Sequence, residues 1–312
     1  MGKIAFIFPG QGAQYKGMGQ DFFQNSKIAK EIYQKASECT GINIEELCFQ
    51  ENDKLNITEY TQIAMVTTEI AMLRTIEEFG IKADIAAGLS LGEYTALAAC
   101  GACSDKDLFK LVRKRGIYMQ EAYPVGGAMS AVLGLDSVVI ESICQEHAGV
   151  VGIANYNCPG QVVISGEETA VSEVSKLLVE AGAKRCIPLK VSGPFHSPLL
   201  AVAGTRLKED LLSMDFMQPA YPYISNVTAD VVTDYNEIPK LLELQVSSSV
   251  RWQQTIEKMI ADGVTDFIEI GPGKTLAGFV KKINAEVRII NIEKYEDIET
   301  AKMTLLQWED EI

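Results

Sequence analysis

The sequence predicts an α/β protein in which a smaller α/β unit is inserted into a larger one. Strand-like and helix-like runs alternate along the 312 residues, and 47% of the residues are apolar, which is enough for a substantial core. From about Ala128 the runs follow a β-α-β-β-α-β order, which is that of a ferredoxin-like domain. We therefore expect a large domain formed by 1–125 and 197–312, with a ferredoxin-like insertion at 126–196.

The first part of the chain begins with a strand and continues with long helical patterns. Residues 3–8 form an apolar run that ends at a Pro-Gly pair, as a buried strand would. In 57–79 apolar residues recur at three- and four-residue steps, which predicts a helix. A short strand is expected at 84–87, followed by a helix at 91–100.

The insertion and the last part of the chain continue the alternation. The expected elements of the insertion are a strand at 128–133, a helix at 138–146, strands at 152–155 and 161–165, a helix at 168–181 and a strand at 185–191. A helix at 198–212, a strand at 267–270 and a helix after Gly273 then resume the large domain. The acidic tail from Glu293 is either a docked helix or partly disordered.

Composition excludes several classes of protein. The net charge of −14 argues against a general nucleic-acid binder. No apolar run is long enough to cross a bilayer, and the first strand is too short for a signal peptide. Seven scattered cysteines fit reduced thiols better than a disulfide framework, so we expect a cytoplasmic protein.

Ser90 lies in the segment GLSLG, which fits the G-x-S-x-G pattern of a nucleophile elbow. In such an elbow the serine occupies a tight turn between a strand and a helix, where the helix N-terminus favours a developing negative charge. The predicted strand before Ser90 and helix after it give that context. The alternative is a chance match in a glycine-rich chain, with Ser90 only a turn residue.

A nucleophilic serine needs a base, and the chain contains only two histidines, His147 and His196. His147 lies at the end of a predicted helix, where a cation would meet the helix dipole. His196 lies between the stiff segment Gly193-Pro194 and Ser197-Pro198, which reads as an N-cap followed by the first helical turn. Elimination therefore favours His196 as the base, although a histidine with only a structural role at the helix start is the alternative. No acidic residue stands out as its partner.

Arg115 falls on the apolar face of a predicted helix, because it follows Leu111 and Val112 at four and three residues and precedes Met119 by four. A buried arginine needs an anionic partner. That partner is either an internal Asp or Glu or the carboxylate of a substrate, which a guanidinium can bind through two hydrogen bonds.

Six segments of the chain resemble the malonyl-CoA:acyl carrier protein transacylases, the acyltransferase family of fatty-acid and polyketide synthesis. They occur in the same order as in that family and span nearly the whole chain. They are FPGQGAQYKGMG (8–19), GLSLGEYTAL (88–97), RKRGIYMQ (113–120), NYNCPGQVVISG (155–166), VSGPFHSPLL (191–200) and IEIGPGKTLAG (268–278). The resemblance implies an α/β-hydrolase-like large domain with an inserted ferredoxin-like small domain. It also implies an enzyme that moves a malonyl group from malonyl-CoA to the phosphopantetheine thiol of acyl carrier protein.

The resemblance also assigns roles to individual residues. Ser90 would carry the malonyl group and His196 would be its base. The backbone N–H groups of Gln11 and Leu91 would form the oxyanion hole, Arg115 would bind the malonyl carboxylate, and the main-chain carbonyl of Gln245 would orient the histidine. The mechanism would be a ping-pong transfer through a malonyl-serine.

The expected partners are malonyl-CoA, coenzyme A and acyl carrier protein, with no bound cofactor, no metal, no nucleic acid and no membrane, in a monomeric enzyme. Five cations could form a basic rim for the acidic carrier: Lys184, Arg185, Lys190, Lys281 and Lys282. The segment GPGKT is not a Walker A motif because position 268 is Ile268 instead of glycine. The lone Cys100/Cys103 pair is a poor zinc site. A serine hydrolase and a non-catalytic carrier-binding module are the rival functions.

Overall fold

A computed structural model describes residues 2–310 as two β-sheets with helices packed against them. The strands are β1 (Lys3–Phe8), β2 (Ile85–Gly88), β3 (Gly127–Leu133), β4 (Val151–Cys158), β5 (Gln161–Glu167), β6 (Arg185–Pro188), β7 (Val264–Ile270) and β8 (Arg288–Ile292). The α-helices are α1 (Gln20–Asn25), α2 (Lys27–Thr40), α3 (Ile44–Phe49), α4 (Thr58–Glu78), α5 (Gly92–Ala99), α6 (Asp105–Ala122), α7 (Ser137–Glu146), α8 (Glu168–Glu180), α9 (Ala201–Leu212), α10 (Ile238–Gln245), α11 (Trp252–Ala261), α12 (Thr275–Ile283) and α13 (Asp297–Asp310). No helix among residues 2–310 is both long enough and apolar enough to cross a membrane.

The larger sheet is parallel, with strand order β2-β1-β7-β8. Alternate side chains of β1 enter different cores: Phe6 and Phe8 pack on one face, and Ala5 and Ile7 on the other. Burial on both faces explains why β1 is a continuous apolar run, since helices cover both sides of a parallel sheet. The predicted α/β class is confirmed.

The smaller sheet is antiparallel, with strand order β4-β5-β3-β6. This is the order that a β-α-β-β-α-β chain adopts in a ferredoxin-like domain. Helices α7 and α8 cover one face, where Val132 and Ile164 are buried among their apolar residues. The ferredoxin-like class of this unit is confirmed, while the exact limits of the two domains stay a prediction.

Several elements differ from the pattern in the sequence. The strand expected at 185–191 ends at Pro188, although the N–H of Leu189 still donates to the carbonyl of Met129 in β3 at 2.9 Å. The tail from Glu293 is a docked helix over Asp297–Asp310, with Ile298 buried against the large core. Strand β8 and the helices α1 to α3, α10 and α11 were not predicted. Helices α1 and α3 have only six residues each, whereas α2 has a periodic apolar face, formed by Ala29, Ile32, Tyr33 and Ala36, that could have been found in the sequence.

The site is positioned by the carboxyl ends of two adjacent parallel strands. In the register of β1 and β2, Phe8 pairs with Gly88, so both strands end at the same level. The loop after β1, which carries Gln11, therefore lies beside the turn after β2, which carries Ser90. The carboxyl edge of an open parallel sheet is where ligand sites usually form.

Candidate active site

Ser90 lies on the sharp turn between β2 and α5 and has a left-handed backbone, with φ of 54°. Two glycines make that turn possible. A Cβ on Gly88 would overlap the backbone of Gly92, and a Cβ on Gly92 would overlap the carbonyl of Phe8. The G-x-S-x-G spacing thus reflects close packing of helix α5 against strands β1 and β2. A strained non-glycine residue at this turn is typical of a functional site.

Asn226 holds both sides of the turn. Its Oδ1 accepts a hydrogen bond from the Ser90 N–H at 2.6 Å, and its Nδ2 donates to the carbonyl of Gly88 at 2.7 Å. Asn226 is fully buried, and its own N–H donates to Glu93 Oε2 at 3.1 Å. Because the N–H of Ser90 is occupied, it is not free to bind a substrate oxygen.

Two backbone N–H groups close to Ser90 are free to bind a substrate oxygen. Within residues 2–310, the backbone N–H groups of Gln11 and Leu91 donate to no other protein atom, and both residues line the cavity that contains Ser90. Leu91 immediately precedes helix α5, so its N–H belongs to the positive end of the helix dipole. This arrangement suits a developing oxyanion.

His196 faces Ser90 from the other side of the cavity, with Nε2 2.6 Å from the serine Oγ. Its Nδ1 lies 2.9 Å from the carbonyl oxygen of Gln245 and 3.2 Å from that of Ser248. Since carbonyl oxygens only accept, Nδ1 carries the proton and donates it, which leaves Nε2 free to accept from the serine hydroxyl. Backbone carbonyls thus hold the imidazole, which explains why no acidic partner is visible in the sequence.

Burial lowers the pKa of His196 from 6.5 to about 4, with the positive charge of Arg115 as a further lowering cause. The two carbonyl acceptors oppose the shift because they stabilise the imidazolium. The imidazole is therefore neutral at physiological pH, the state in which it can accept a proton.

The segment before His196 is held by side-chain hydrogen bonds. Ser192 shares a hydrogen bond with Thr58, the first residue of α4, across the cavity. Ser197 occupies the N-cap position of a short 3₁₀ turn at Pro198–Leu200, but its side chain makes no capping hydrogen bond. Its hydroxyl instead donates to the carbonyl of Pro194 at 2.7 Å. Ser197 therefore stands at the expected N-cap position before Pro198, but without the capping hydrogen bond of its side chain. Its bond to Pro194 instead tightens the turn that contains His196, whose φ is 58°.

Arg115 is 1% exposed and points from α6 into the same cavity. Its Nη2 donates to Gln245 Oε1 at 3.1 Å, and the guanidinium lies 5.0 Å from the centre of the Tyr94 ring. Its Nε has no hydrogen-bond partner among the described residues. No carboxylate in 2–310 lies at ion-pair distance from Arg115, although its positive charge helps to lower the pKa of the buried Glu93 against the effect of burial. Binding of a substrate carboxylate by Arg115 stays a prediction.

The cavity has a volume of about 800 Å³ and lies between the two sheets. The large domain contributes the loop after β1, the Ser90 turn and helix α12. The small domain contributes Met129, Asn155 and Val163 from the uncovered face of its sheet, and Phe195 lies beside the histidine. The exposed lining of the cavity is mainly apolar, with polar side chains interspersed, as in many binding sites for small molecules.

The other histidine and the cysteines form no comparable cluster in the part of the chain that the structure describes. His147 is the C-cap residue of α7, and its Nε2 lies 3.0 Å from Glu173. All seven cysteines are free thiols. Across residues 2–310, no group of three His, Cys, Asp or Glu side chains is close enough together to hold a metal ion.

Three polar residues at the site were not predicted from the sequence. Asn226 is 136 residues from Ser90 in the chain, and no local pattern marks it. Gln62 lines the cavity from α4, with Nε2 3.5 Å from Gln11 Oε1. Glu93 is fully buried within the apolar helix α5, and this isolated charge was the one signal that could have been noticed.

Comparison with known proteins identifies the class. The acyl transferase domain family matches residues 5–303, so the chain belongs to the acyl transferase domain family and is an acyltransferase. The curated malonyl CoA-acyl carrier protein transacylase of Bacillus subtilis (strain 168) is 47% identical over 315 residues, covering 99% of each chain. The crystal structure of the malonyl CoA-acyl carrier protein transacylase of Clostridium perfringens has a TM-score of 0.95 at 44% identity, covering 98% of each chain.

A further solved structure contains a partner. It is a malonyl-transacylase in complex with a type II polyketide synthase acyl-carrier protein. That transacylase has a TM-score of 0.93 to the present chain and 36% identity, covering 96% of this chain and 98% of the other. The likeness therefore extends over the whole fold, including both sheets.

Proposed function

We propose that this acyltransferase moves the malonyl group of malonyl-CoA to the phosphopantetheine thiol of acyl carrier protein, as in fatty-acid biosynthesis. The observation that carries the proposal is the Ser90–His196 hydrogen bond in one cavity with Arg115, a buried cation without a carboxylate partner. A nucleophile and a base make an acyl-enzyme possible, and the cation selects an acyl group that ends in a carboxylate. The names of the relatives agree with this substrate and this acceptor.

The first half of the reaction loads the enzyme. Ser90 Oγ attacks the thioester carbonyl carbon while His196 Nε2 takes the hydroxyl proton. The carbonyl oxygen becomes an oxyanion that accepts from the N–H groups of Gln11 and Leu91. The carbon–sulfur bond then breaks, His196 returns the proton to the departing coenzyme A thiol, and malonyl-serine remains.

The second half follows the reverse path with a different thiol. The phosphopantetheine thiol of acyl carrier protein gives its proton to His196 Nε2 and attacks the ester carbonyl of malonyl-Ser90. Collapse of the oxyanion breaks the carbon–oxygen bond, and the proton returns to Ser90. Between the two halves coenzyme A must leave the cavity, and the phosphopantetheine group of acyl carrier protein must enter it. Lys190 lines the cavity and is the member of the predicted basic rim best placed to meet an acidic carrier.

The proposed enzyme needs no cofactor and acts as a monomer in the cytoplasm. The steps above are complete with the side chains and backbone groups of the chain, so we propose that no bound cofactor or metal takes part. We also propose a monomer that works in the cytoplasm, in keeping with seven free thiols and a strongly negative net charge.

The proposed function is tested by following the fate of labelled malonyl-CoA. In the presence of the phosphopantetheine form of acyl carrier protein, label is expected on the carrier. Release of free malonate at the same rate with and without carrier would instead identify a serine hydrolase. Absence of both products, together with absence of labelled enzyme, would leave only the carrier-binding alternative.

Replacement of Arg115 by alanine should reduce malonyl transfer by about 10²-fold or more, because hydrogen bonds to a charged group are lost from a buried site. Acetyl transfer should fall less, since an acetyl group leaves the guanidinium unpaired even in the wild-type protein. The measurement is the ratio of malonyl-CoA to acetyl-CoA transfer rates. Arg113→Ala is the matched control, because Arg113 lies on the same helix but pairs with Glu59. An unchanged ratio in Arg115→Ala would remove the proposed role.

The pH dependence of malonyl-enzyme formation follows from the pKa of about 4 for His196. A general base acts in its neutral form, so a lowered pKa extends activity to lower pH. We expect the rate to stay level as the pH falls from 7 through 6 and to decline only towards pH 4. Rapid-quench measurement of labelled enzyme at each pH gives the profile. A decline centred near 6.5, the ordinary histidine value, would contradict the predicted environment.

A further inference from the structure

Glu93 is a buried carboxylate that the acyl-transfer steps do not use. It is fully buried on helix α5, three residues after Ser90. No cationic side chain of 2–310 lies at ion-pair distance from Glu93. One of its carboxylate oxygens, however, accepts two hydrogen bonds. Glu93 Oε2 accepts from the Asn226 N–H at 3.1 Å and from Gln245 Nε2 at 2.7 Å.

The two donors to Glu93 are the residues that hold the reactive groups. Asn226 accepts from the N–H of Ser90, as described above. Gln245 accepts from His196 through its main-chain carbonyl, and its side-chain Nε2 also donates to the Ser90 carbonyl at 2.8 Å. Glu93 therefore contacts neither substrate nor base, but it fixes the two residues that fix Ser90 and His196.

Glu93 also determines which end of the Gln245 amide faces Arg115. The Nε2 of Gln245 is directed towards two acceptors, Glu93 Oε2 and the Ser90 carbonyl. Its Oε1 is consequently turned to Nη2 of Arg115 at 3.1 Å. A reversed amide would place N–H groups against the guanidinium and an oxygen against a carboxylate, and both contacts are repulsive.

We propose that Glu93 is a positioning residue for malonyl selection, acting through Gln245 to orient Arg115 and through Asn226 to hold the Ser90 turn. This role requires an acceptor oxygen within hydrogen-bond distance of the Asn226 N–H and Gln245 Nε2. It does not require a negative charge on that oxygen. Burial raises the pKa of Glu93 to about 7, and either protonation state still offers an acceptor oxygen. This inference rests on malonyl transfer being the reaction.

Two variants distinguish the length of the Glu93 side chain from its negative charge. Glu93→Gln keeps the length and an acceptor oxygen but loses the charge, whereas Glu93→Asp keeps the charge but withdraws the oxygen by one methylene. We expect Glu93→Gln to keep the malonyl-to-acetyl rate ratio within about threefold of wild type. We expect Glu93→Asp to lower the ratio by about tenfold, the effect of losing one hydrogen bond that orients a charged group. In Glu93→Asp, malonyl-enzyme formation should also fall by up to about 10²-fold, because the Ser90 turn is misplaced.

The ratio is the decisive readout, because both rates come from the same folded molecules and partial unfolding lowers them equally. Glu69→Gln and Glu69→Asp are matched controls, since Glu69 is equally buried but accepts from Thr95, away from Gln245 and Asn226. Both should leave the ratio unchanged. A normal ratio in Glu93→Asp, or a lowered ratio in Glu93→Gln, would overturn the inference. Failure of the wild-type protein to transfer malonyl would overturn the proposed function instead, so the two failures are distinguishable.

Discussion

Replacement of Ser90 by alanine is expected to abolish acyl transfer, with a loss of about 10⁴-fold or more in kcat. The hydroxyl is the atom that becomes acylated in the proposed reaction, and no other described hydroxyl lies within hydrogen-bond range of the His196 ring. The cavity, Arg115 and the free N–H groups remain, so malonyl-CoA should still bind. The loss should therefore be seen in kcat and not in substrate affinity.

The measurement is intact-protein mass spectrometry after brief mixing with malonyl-CoA, followed by peptide mapping. The wild-type protein should carry one malonyl group on the peptide that contains Ser90, and Ser90→Ala should carry none. Ser165→Ala is a suitable control, because Ser165 is buried in strand β5 of the smaller sheet and does not line the cavity. A malonyl adduct on Ser90→Ala would show that another residue is the nucleophile.

Replacement of His196 by alanine has the second largest expected effect, a loss of about 10²- to 10⁴-fold in the rate of malonyl-enzyme formation. The reason is geometric, since Nε2 is the acceptor at 2.6 Å from the serine Oγ and its tautomer is fixed by the carbonyls of Gln245 and Ser248. Without the imidazole the hydroxyl would have to react with its proton still bound. The coenzyme A thiol would also lose the group that returns its proton.

Pre-steady-state kinetics of malonyl-enzyme formation tests this expectation, because they separate loading from transfer to the carrier. His147→Ala is the natural control, since His147 is the only other histidine and lies beside Glu173 in the smaller domain. Loading of His196→Ala at the wild-type rate would exclude His196 as the base. Equal losses in His196→Ala and His147→Ala would indicate a general effect on folding.

Local patterns predicted much of this fold and part of the site. The strand at Lys3–Phe8, the long helix α4 and the order of elements in the smaller domain follow from apolar periodicity, which is a property of adjacent residues. The turn at Ser90 follows from two glycines at fixed spacing. The burial of Arg115 follows from its place on the apolar face of α6.

The partners of these residues could not be read from local patterns. Asn226, Ser248 and Glu93 hold the site through hydrogen bonds to residues 52 to 152 positions away in the chain, and such bonds leave no periodic mark in the sequence. For Arg115 the sequence left two partners open, and in the structure its Nη2 donates to the amide oxygen of Gln245, with no carboxylate of 2–310 at ion-pair distance. Ser197 does occupy the expected N-cap position, but its hydroxyl donates to the carbonyl of Pro194 and accepts no hydrogen bond from the N–H groups of the following turn.

By itself, the sequence determined the class of fold, the strand-turn-helix that exposes Ser90 and the identity of the only two histidines. The sequence also favoured His196 over His147, and the family resemblance implied the Gln245 carbonyl as the partner of His196. Only the tertiary structure showed that His196 Nε2 lies 2.6 Å from the serine Oγ, that the Ser248 carbonyl is a second acceptor, and that Arg115 is buried with its Nη2 on Gln245. The physical reason is that periodicity encodes which side of a helix or strand is buried. Distances of 2.6 to 3.2 Å between remote atoms depend on how both sheets and their loops pack together.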